Sequence, residues 1–283
     1  MSADRVDRTA QVIGQRFRID AMIGRGAMAE VYRAFDLEAQ CEVALKILKK
    51  SLSGDPAAKL RFTREADVQA KLRHRNIAAL LATGITEHDE PYLVVELLRG
   101  TTLRHVIKAE VRVGPRKAAS YTWQALQGLA AIHASGVLHR DLKPANIMLE
   151  PSPGPVERVV LIDFGFATLG GAAKLTQQGM VVGSLTYIAP ERLRGELPDG
   201  RSDLYSIGVI LFEMLSGAPP FVATNDVALI EQHLDTEPPP LDVSVPEALR
   251  EIVDRALAKH PEDRYDDAAA MAVALEAAAR SIP

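Results

Sequence analysis

The stretch Leu138-His139-Arg140-Asp141-Leu142-Lys143-Pro144-Ala145-Asn146-Ile147-Met148-Leu149 decides how this chain is read. Asp141, Lys143 and Asn146 fall at i, i+2 and i+5 in a short polar loop that runs into an apolar strand. A carboxylate so placed can accept a hydroxyl proton. A lysine two residues on can neutralise a transferring phosphoryl group, and an Asn amide oxygen suits a hard cation. Asp163-Phe164-Gly165 follows at the end of a second apolar run, Val159–Ile162, and a carboxylate there suits Mg2+. Type, order and spacing agree too closely for ordinary loop polarity.

Upstream, the signals are weaker one by one. Gly24-Arg25-Gly26-Ala27-Met28-Ala29-Glu30-Val31 is a glycine-rich turn. A plain tight turn would carry it. A dinucleotide-binding turn would need a helix next, and Glu30–Ala34 reads as a strand. Two glycines in a hairpin let backbone N–H groups approach phosphate oxygens. Lys46, in the alternating run Glu42–Leu48, reads alone as a solvated strand lysine. Glu65, 19 residues later, reads alone as a surface partner of Arg61 or Arg64. An ion pair between Lys46 and Glu65 would instead aim the ammonium at phosphates.

Together these motifs resemble the eukaryotic-like protein kinases of the Ser/Thr type common in bacteria. The resemblance covers about residues 16–275. It adds Ala189-Pro190-Glu191, Asp203 in Ser202-Asp203-Leu204-Tyr205-Ser206, and Arg264 in Pro261-Glu262-Asp263-Arg264-Tyr265. Ala29 stands where a third glycine is usual. The resemblance implies a bilobal α+β fold, with a small β-rich lobe bearing one long helix and a larger, mainly helical lobe. It implies ATP and Mg2+, with Mn2+ as a substitute, and these roles. Gly24 to Val31 would cover the ATP phosphates. Lys46 would contact the α/β-phosphates and pair with Glu65. Asp141 would be the base, and Lys143 would stabilise the transferring group. Asn146 and Asp163 would hold Mg2+. Glu96 and Leu98 would present backbone groups to adenine, with Val95 behind the pocket. Ile23, Val31, Ala44 and Met148 would sandwich the purine, and core packing explains these four equally well. Asp203 would buttress the catalytic loop, and Glu191 would pair with Arg264. Lys143 implies Ser/Thr rather than Tyr acceptors in protein substrates.

Length and composition set the outer bounds. The 283 residues suffice for one large domain or two intimate ones. Lys plus Arg number 33 against 37 Asp plus Glu, a net charge of −4, which argues against nucleic acid as a partner. The single cysteine, Cys41, excludes an intrachain disulfide and fits a reducing compartment. The polar start has no secretory core, and no stretch nears the ~20 apolar residues of a membrane span. The expectation is a cytoplasmic chain with no membrane association.

Along the chain, residues 1–15 read as a loosely held tail, 16–97 as the β-rich lobe, 98–278 as the helical lobe and 279–283 as a terminal end. Asp55-Pro56 opens a helix reaching about Arg73. Ile77–Ile85 and Tyr92–Leu97 read as strands, and Gly136 closes a helix over Pro115–Ser135. Residues 164–190 form a long irregular segment. Helices are expected over 201–216, 225–234, 246–258 and 267–280. By resemblance, Arg140 belongs to a pocket for an activation-segment phosphate. Thr168, Thr176, Ser184 and Thr186 are the acceptors, with Thr176 favoured; Met180 occupies the position often phosphorylated elsewhere. Trans-autophosphorylation through a transient homodimer follows from the same resemblance. Two other readings stand beside it: a scaffold that binds nucleotide without transfer, and a small-molecule kinase of related fold.

Overall fold

The computed structural model describes residues 8–154, 156–163 and 185–282. Phe164, Gly165, Thr168, Thr176, Met180 and Ser184 lie outside the described residues. The chain divides into two compact units. The first comprises the residues up to Arg73 with Ala78–Arg99; the second comprises His74–Ile77 with the residues from Gly100 on.

The first unit is built on an antiparallel sheet. Its strands are β1 (Val12–Ile13), β2 (Phe17–Arg25), β3 (Ala29–Asp36), β4 (Cys41–Leu48), β5 (Leu80–Ile85) and β6 (Pro91–Glu96), in the order β1-β2-β3-β4-β6-β5. Alternation sorts the side chains between two faces. Phe17, Ile19, Tyr32, Ala34, Val43, Leu45, Tyr92 and Val94 form one buried cluster. Ala29, Leu48 and Leu93 pack on the other face against Phe62 and Ala66 of α1 (Pro56–Gln69). The Asp55 side chain caps α1 by accepting from Ala57 N at 2.8 Å, with Pro56 in the first turn. The helix ends at Gln69, short of Arg73, because tightened turns through Lys71 and Leu72 replace the α pattern.

The second unit contains a small sheet, β7 (Thr101–Thr102), β8 (Ile147–Glu150) and β9 (Arg158–Leu161). Seven helices accompany it among the described residues: α2 (Leu103–Glu110), α3 (Pro115–Ala134), α4 (Pro190–Arg194), α5 (Gly200–Ser216), α6 (Asp226–Asp235), α7 (Glu247–Ala256) and α8 (Ala268–Ser281). Helix α5 is its axis: nearly every residue from Ser202 to Leu215 is buried. Gly136, at φ +75°, closes α3 as its position predicts.

Four boundaries differ from the sequence reading. Residues 8–15 of the expected tail are held in place: Ile13 pairs with Phe17 and buries its side chain, and Arg8 finds a buried carboxylate, Glu90. Residues 74–77 belong to the second unit, because Asn76 donates to Val159 O at 2.7 Å and accepts from Leu161 N at 2.9 Å. Leu98 and Arg99 go with the first unit, where Arg99 reaches Glu42 at 2.6 Å. Of the expected end 279–283, residues 279–281 belong to α8, and Arg116 holds Ile282 O at 2.6 Å. Helix α2 was not foreseen; Thr102 caps it by accepting from His105 N.

Candidate active site

In the first unit, strand register gathers the expected residues on one face. Gly24 opposes Val31, Val31 opposes Lys46, and Ala44 opposes Val95. Directly paired residues share a face, as do residues two apart, so Gly24, Val31, Ala44, Lys46 and Val95 lie together. Helix α1 covers this face beside Lys46 and brings Glu65 to it. Lys46 Nζ donates to Glu65 Oε1 at 2.6 Å, with both side chains largely buried. A pair this enclosed is held in one geometry rather than sampling the surface.

The glycine-rich turn spans the end of β2 and the start of β3. Gly26 N donates to Ala29 O at 2.9 Å, closing the hairpin over Ala27 and Met28. Arg25 pairs with Glu30 at 3.0 Å across the turn. Ile23 is half exposed, and Ala29 is buried against Leu48, which leaves its methyl in the core rather than at the turn's tip. Glu96 Oε1 accepts from Ala79 N at 2.9 Å, and Glu96 N donates to Ala79 O, so the end of β6 is pinned before Leu98.

In the second unit, the loop 139–146 is held from below by Asp203 of α5. Asp203 Oδ2 accepts from His139 N at 2.8 Å, and Oδ1 accepts from Arg140 N at 2.9 Å. His133 of α3 contacts Oδ2 at 2.9 Å. Burial opposes ionisation of Asp203, but the His133 bond, neighbouring imidazole charge and the backbone donors outweigh it, and its carboxyl stays below the usual range. These bonds keep Arg140 at φ +64°, a conformation a non-glycine residue seldom adopts unaided. Burial pushes the His139 imidazole pKa down, against the pull of the nearby Asp203 and Asp141 carboxylates.

This support fixes the working residues. Lys143 Nζ donates to Asp141 Oδ2 at 2.7 Å, and Asn146 Nδ2 donates to Asp141 Oδ2 at 2.9 Å and to Asp141 O at 2.8 Å. With Nδ2 committed to Asp141, the amide carbonyl of Asn146 is its remaining ligating atom. Asn146 O accepts from Ile162 N at 3.0 Å, which ties the loop to the strand end bearing Asp163. Asp163 is exposed at φ +53°. An amide oxygen and a carboxylate suit Mg2+, which keeps waters and substrate phosphates as its other ligands. Among the described residues no cluster of three His, Cys, Asp or Glu suggests a softer or self-sufficient metal site. Met148, on β8, pairs with Thr102 and Val160.

Behind the loop, Glu191 and Arg264 meet as expected, in a bidentate pair with both bonds at 2.9 Å. Sequence reasoning missed three supporting groups. His133 carries no local signal. Arg104 and Glu213 lie 109 residues apart, yet Arg104 Nη1 donates to Glu213 Oε1 at 2.6 Å and Tyr187 OH donates to Glu213 Oε2 at 2.7 Å. That trio anchors the 3-10 turn Leu185–Tyr187, where Thr186 sits half-buried.

The sheet-based first unit with its Lys46–Glu65 pair, and the helical second unit with its Asp141, Lys143 and Asn146 loop, are features of the protein kinase class. The family model described as protein kinase domain matches residues 17–275, and the chain belongs to this family. The chain is 39% identical over 271 residues to the serine/threonine-protein kinase PknB of Mycolicibacterium smegmatis, covering 93% of this chain and 43% of that protein. A probable serine/threonine-protein kinase of Streptomyces coelicolor is 40% identical over 273 residues, with 94% and 40% covered. The chain therefore spans about two fifths of the curated relatives it matches. The crystal structure of the Mycobacterium tuberculosis PknI kinase domain superimposes with a TM-score of 0.72 at 25% identity, covering 98% of this chain and all of that one.

Proposed function

We propose that this chain transfers the γ-phosphoryl group of ATP to Ser or Thr hydroxyls of proteins. The observation that carries the reading is the grip on Asp141. Lys143 and Asn146 both donate to Oδ2, on a loop whose backbone is fixed by a buried carboxylate. Asp141 orients the acceptor hydroxyl and takes its proton. Lys143 lies beside the same carboxylate, where it meets the charge of the transferring group. Lys46, aimed by Glu65, holds the α/β-phosphates. Gly24 to Val31 covers the phosphates, Glu96 and Leu98 offer backbone groups to adenine, and Ile23, Ala44, Val95 and Met148 enclose the purine. Asn146 and Asp163 hold Mg2+, which when bound neutralises charge on the phosphate oxygens.

Lys143 and the names of the relatives support Ser/Thr acceptors. Autophosphorylation in trans through a transient homodimer, with Thr176 as the acceptor, belongs to the same proposal, as does a cytoplasmic site of action. No helix among the described residues is long and apolar enough to cross a membrane. The test is intact-mass and peptide mass spectrometry of phosphatase-treated protein incubated with Mg-ATP and a panel of Ser/Thr peptides. The wild-type chain is expected to phosphorylate peptides and itself; Asp141→Asn and Lys46→Met are expected to do neither. Nucleotide binding without transfer to any peptide or to itself would refute the proposal, and transfer confined to metabolites would replace it with a small-molecule kinase.

A further inference from the structure

Arg8 is one of the few charged side chains buried in the first unit, and it precedes every strand. It is 5% exposed, and its partner Glu90, in the β5–β6 turn, is fully buried. Arg8 Nη2 donates to Glu90 Oε1 at 2.7 Å. Thr86 Oγ1 donates to the other oxygen at 3.2 Å, so the carboxylate cannot swing away. Burial alone would lower the guanidinium's affinity for its proton; the bond and charge of Glu90 outweigh it, and the net shift is upward.

The pair does not end at Glu90. The Arg8 charge acts on the buried hydroxyl of Tyr32, on β3, against the upward push of burial and of Glu30 on that hydroxyl. Tyr32 OH donates to Glu30 Oε2 at 2.6 Å, and Glu30 Oε1 pairs with Arg25 at 3.0 Å. Arg25 stands between the two glycines of the turn. A second, backbone route runs in parallel. Ala10 N donates to Ile19 O and Ile19 N donates to Gln11 O, both at 2.8 Å, fastening residues 8–13 along β2, the strand that ends in the turn. Glycines give the turn no stiffness of their own. Its order must come from its neighbours.

We propose that Arg8 is a positioning residue for the glycine-rich turn, and that residues 8–13 form a strap holding that turn through the Arg8–Tyr32–Glu30–Arg25 chain, buried as far as Glu30 and exposed at Arg25. The effect on ATP rests on the assignment of the turn to the phosphates; the effect on the turn itself does not. Two readouts keep these apart: amide hydrogen exchange of residues 24–28 in the nucleotide-free chain, and the KM and kcat for ATP in peptide phosphorylation. Arg8→Met is expected to speed exchange at residues 24–28 more than in the strand core. It should raise the KM for ATP about three- to tenfold, with kcat within about twofold. Arg8→Lys, which keeps the charge, should recover most of both. If Arg8→Met does not fold, Tyr32→Phe removes only the middle hydroxyl and should give the same pattern. A folded variant that melts lower but keeps wild-type exchange at 24–28 overturns the proposal, since Arg8 then only stabilises the sheet. Faster exchange with unchanged KM would uphold the strap and remove the turn from the ATP site.

Discussion

Removing Arg264 should cost this protein a large fraction of its stability. Arg264 is 1% exposed. Beyond its two bonds to Glu191, Nε donates to Ala258 O at 2.8 Å, Nη1 to Arg201 O at 3.1 Å and Nη2 to Lys259 O at 3.2 Å. Its guanidinium also lies over the Tyr205 ring at 4.9 Å. Burial would raise the Glu191 pKa, but Arg264 and the Ser202 hydroxyl at 2.5 Å hold it below the usual carboxylate range. Arg264→Met keeps most of the volume and deletes the charge. Glu191 is then left buried with only Ser202 beside it, a situation that typically costs about 3–5 kcal/mol. At roughly 2–4 °C per kcal/mol for domains of this size, melting should fall by about 10 °C. The sign of the pH dependence follows. Without Arg264, burial raises the Glu191 pKa above its unfolded value, so the variant's deficit shrinks as pH falls toward the carboxylate range and grows above it. Glu191→Gln combined with Arg264→Met should be less damaging than the two single losses summed. Scanning calorimetry at pH 5 and pH 8 makes the measurement. A melting point within about 2 °C of wild type, or a deficit that ignores both pH and the Glu191→Gln partner, would refute the reasoning.

Three further outcomes are expected. Asp203→Asn replaces an acceptor of two backbone N–H groups and His133; charge-assisted bonds are worth about 1.5–3 kcal/mol. Peptide phosphorylation should therefore slow about ten- to hundredfold at unchanged fold, and wild-type initial rates would contradict this. Gly100→Ala places a methyl 1.9 Å from the backbone oxygen of Leu149, which cannot swing aside as a side chain could, and should lower stability by about 2 kcal/mol or more in denaturant unfolding. Asp36 is drawn down to about 2, first by its bonds to Arg16 and then by the backbone donors Ala39 and Glu38. Its contribution is full above the unfolded pKa near 4 and disappears as pH falls toward 2. Arg16, about a third exposed, makes the first of these bonds, so Arg16→Met should flatten the acid limb of a melting-temperature profile.

Much of the site was legible because its residues are local in sequence. Asp141, Lys143 and Asn146 sit within one loop, and their spacing alone brings them to hydrogen-bond distance. The Lys46–Glu65 pair was one of two readings open to the residues, and the resemblance favoured it, since nothing local joins a strand lysine to a helix glutamate. Glu191 and Arg264 were paired through the resemblance alone. What stayed hidden is long-range and polar. His133, Arg104 and Glu213 look like surface residues in a helical pattern, and only packing of α2, α3 and α5 reveals them as supports. Arg8 was read as part of a tail because one arginine in a polar run carries no sign of a buried carboxylate 82 residues away. Helix α2 has its cap at Thr102 and apolar Leu103 and Ile107 four apart, so its signal was present and short.

The interleaving of the two units bears on how the chain is made. Synthesis proceeds from the N-terminus, and units tend to fold as they emerge. Every strand of the first sheet has left the ribosome once Arg99 has. Residues 74–77, inside that stretch, belong elsewhere: Asn76 bonds to Val159, 83 positions downstream. A nascent chain thus carries a finished sheet with a loop still waiting for its partner strand. For the time it takes to add β8 and β9, the amide of Asn76 has only water in place of the Val159 carbonyl. A ribosome pausing in that interval leaves residues 74–77 waiting for the strand they bond to.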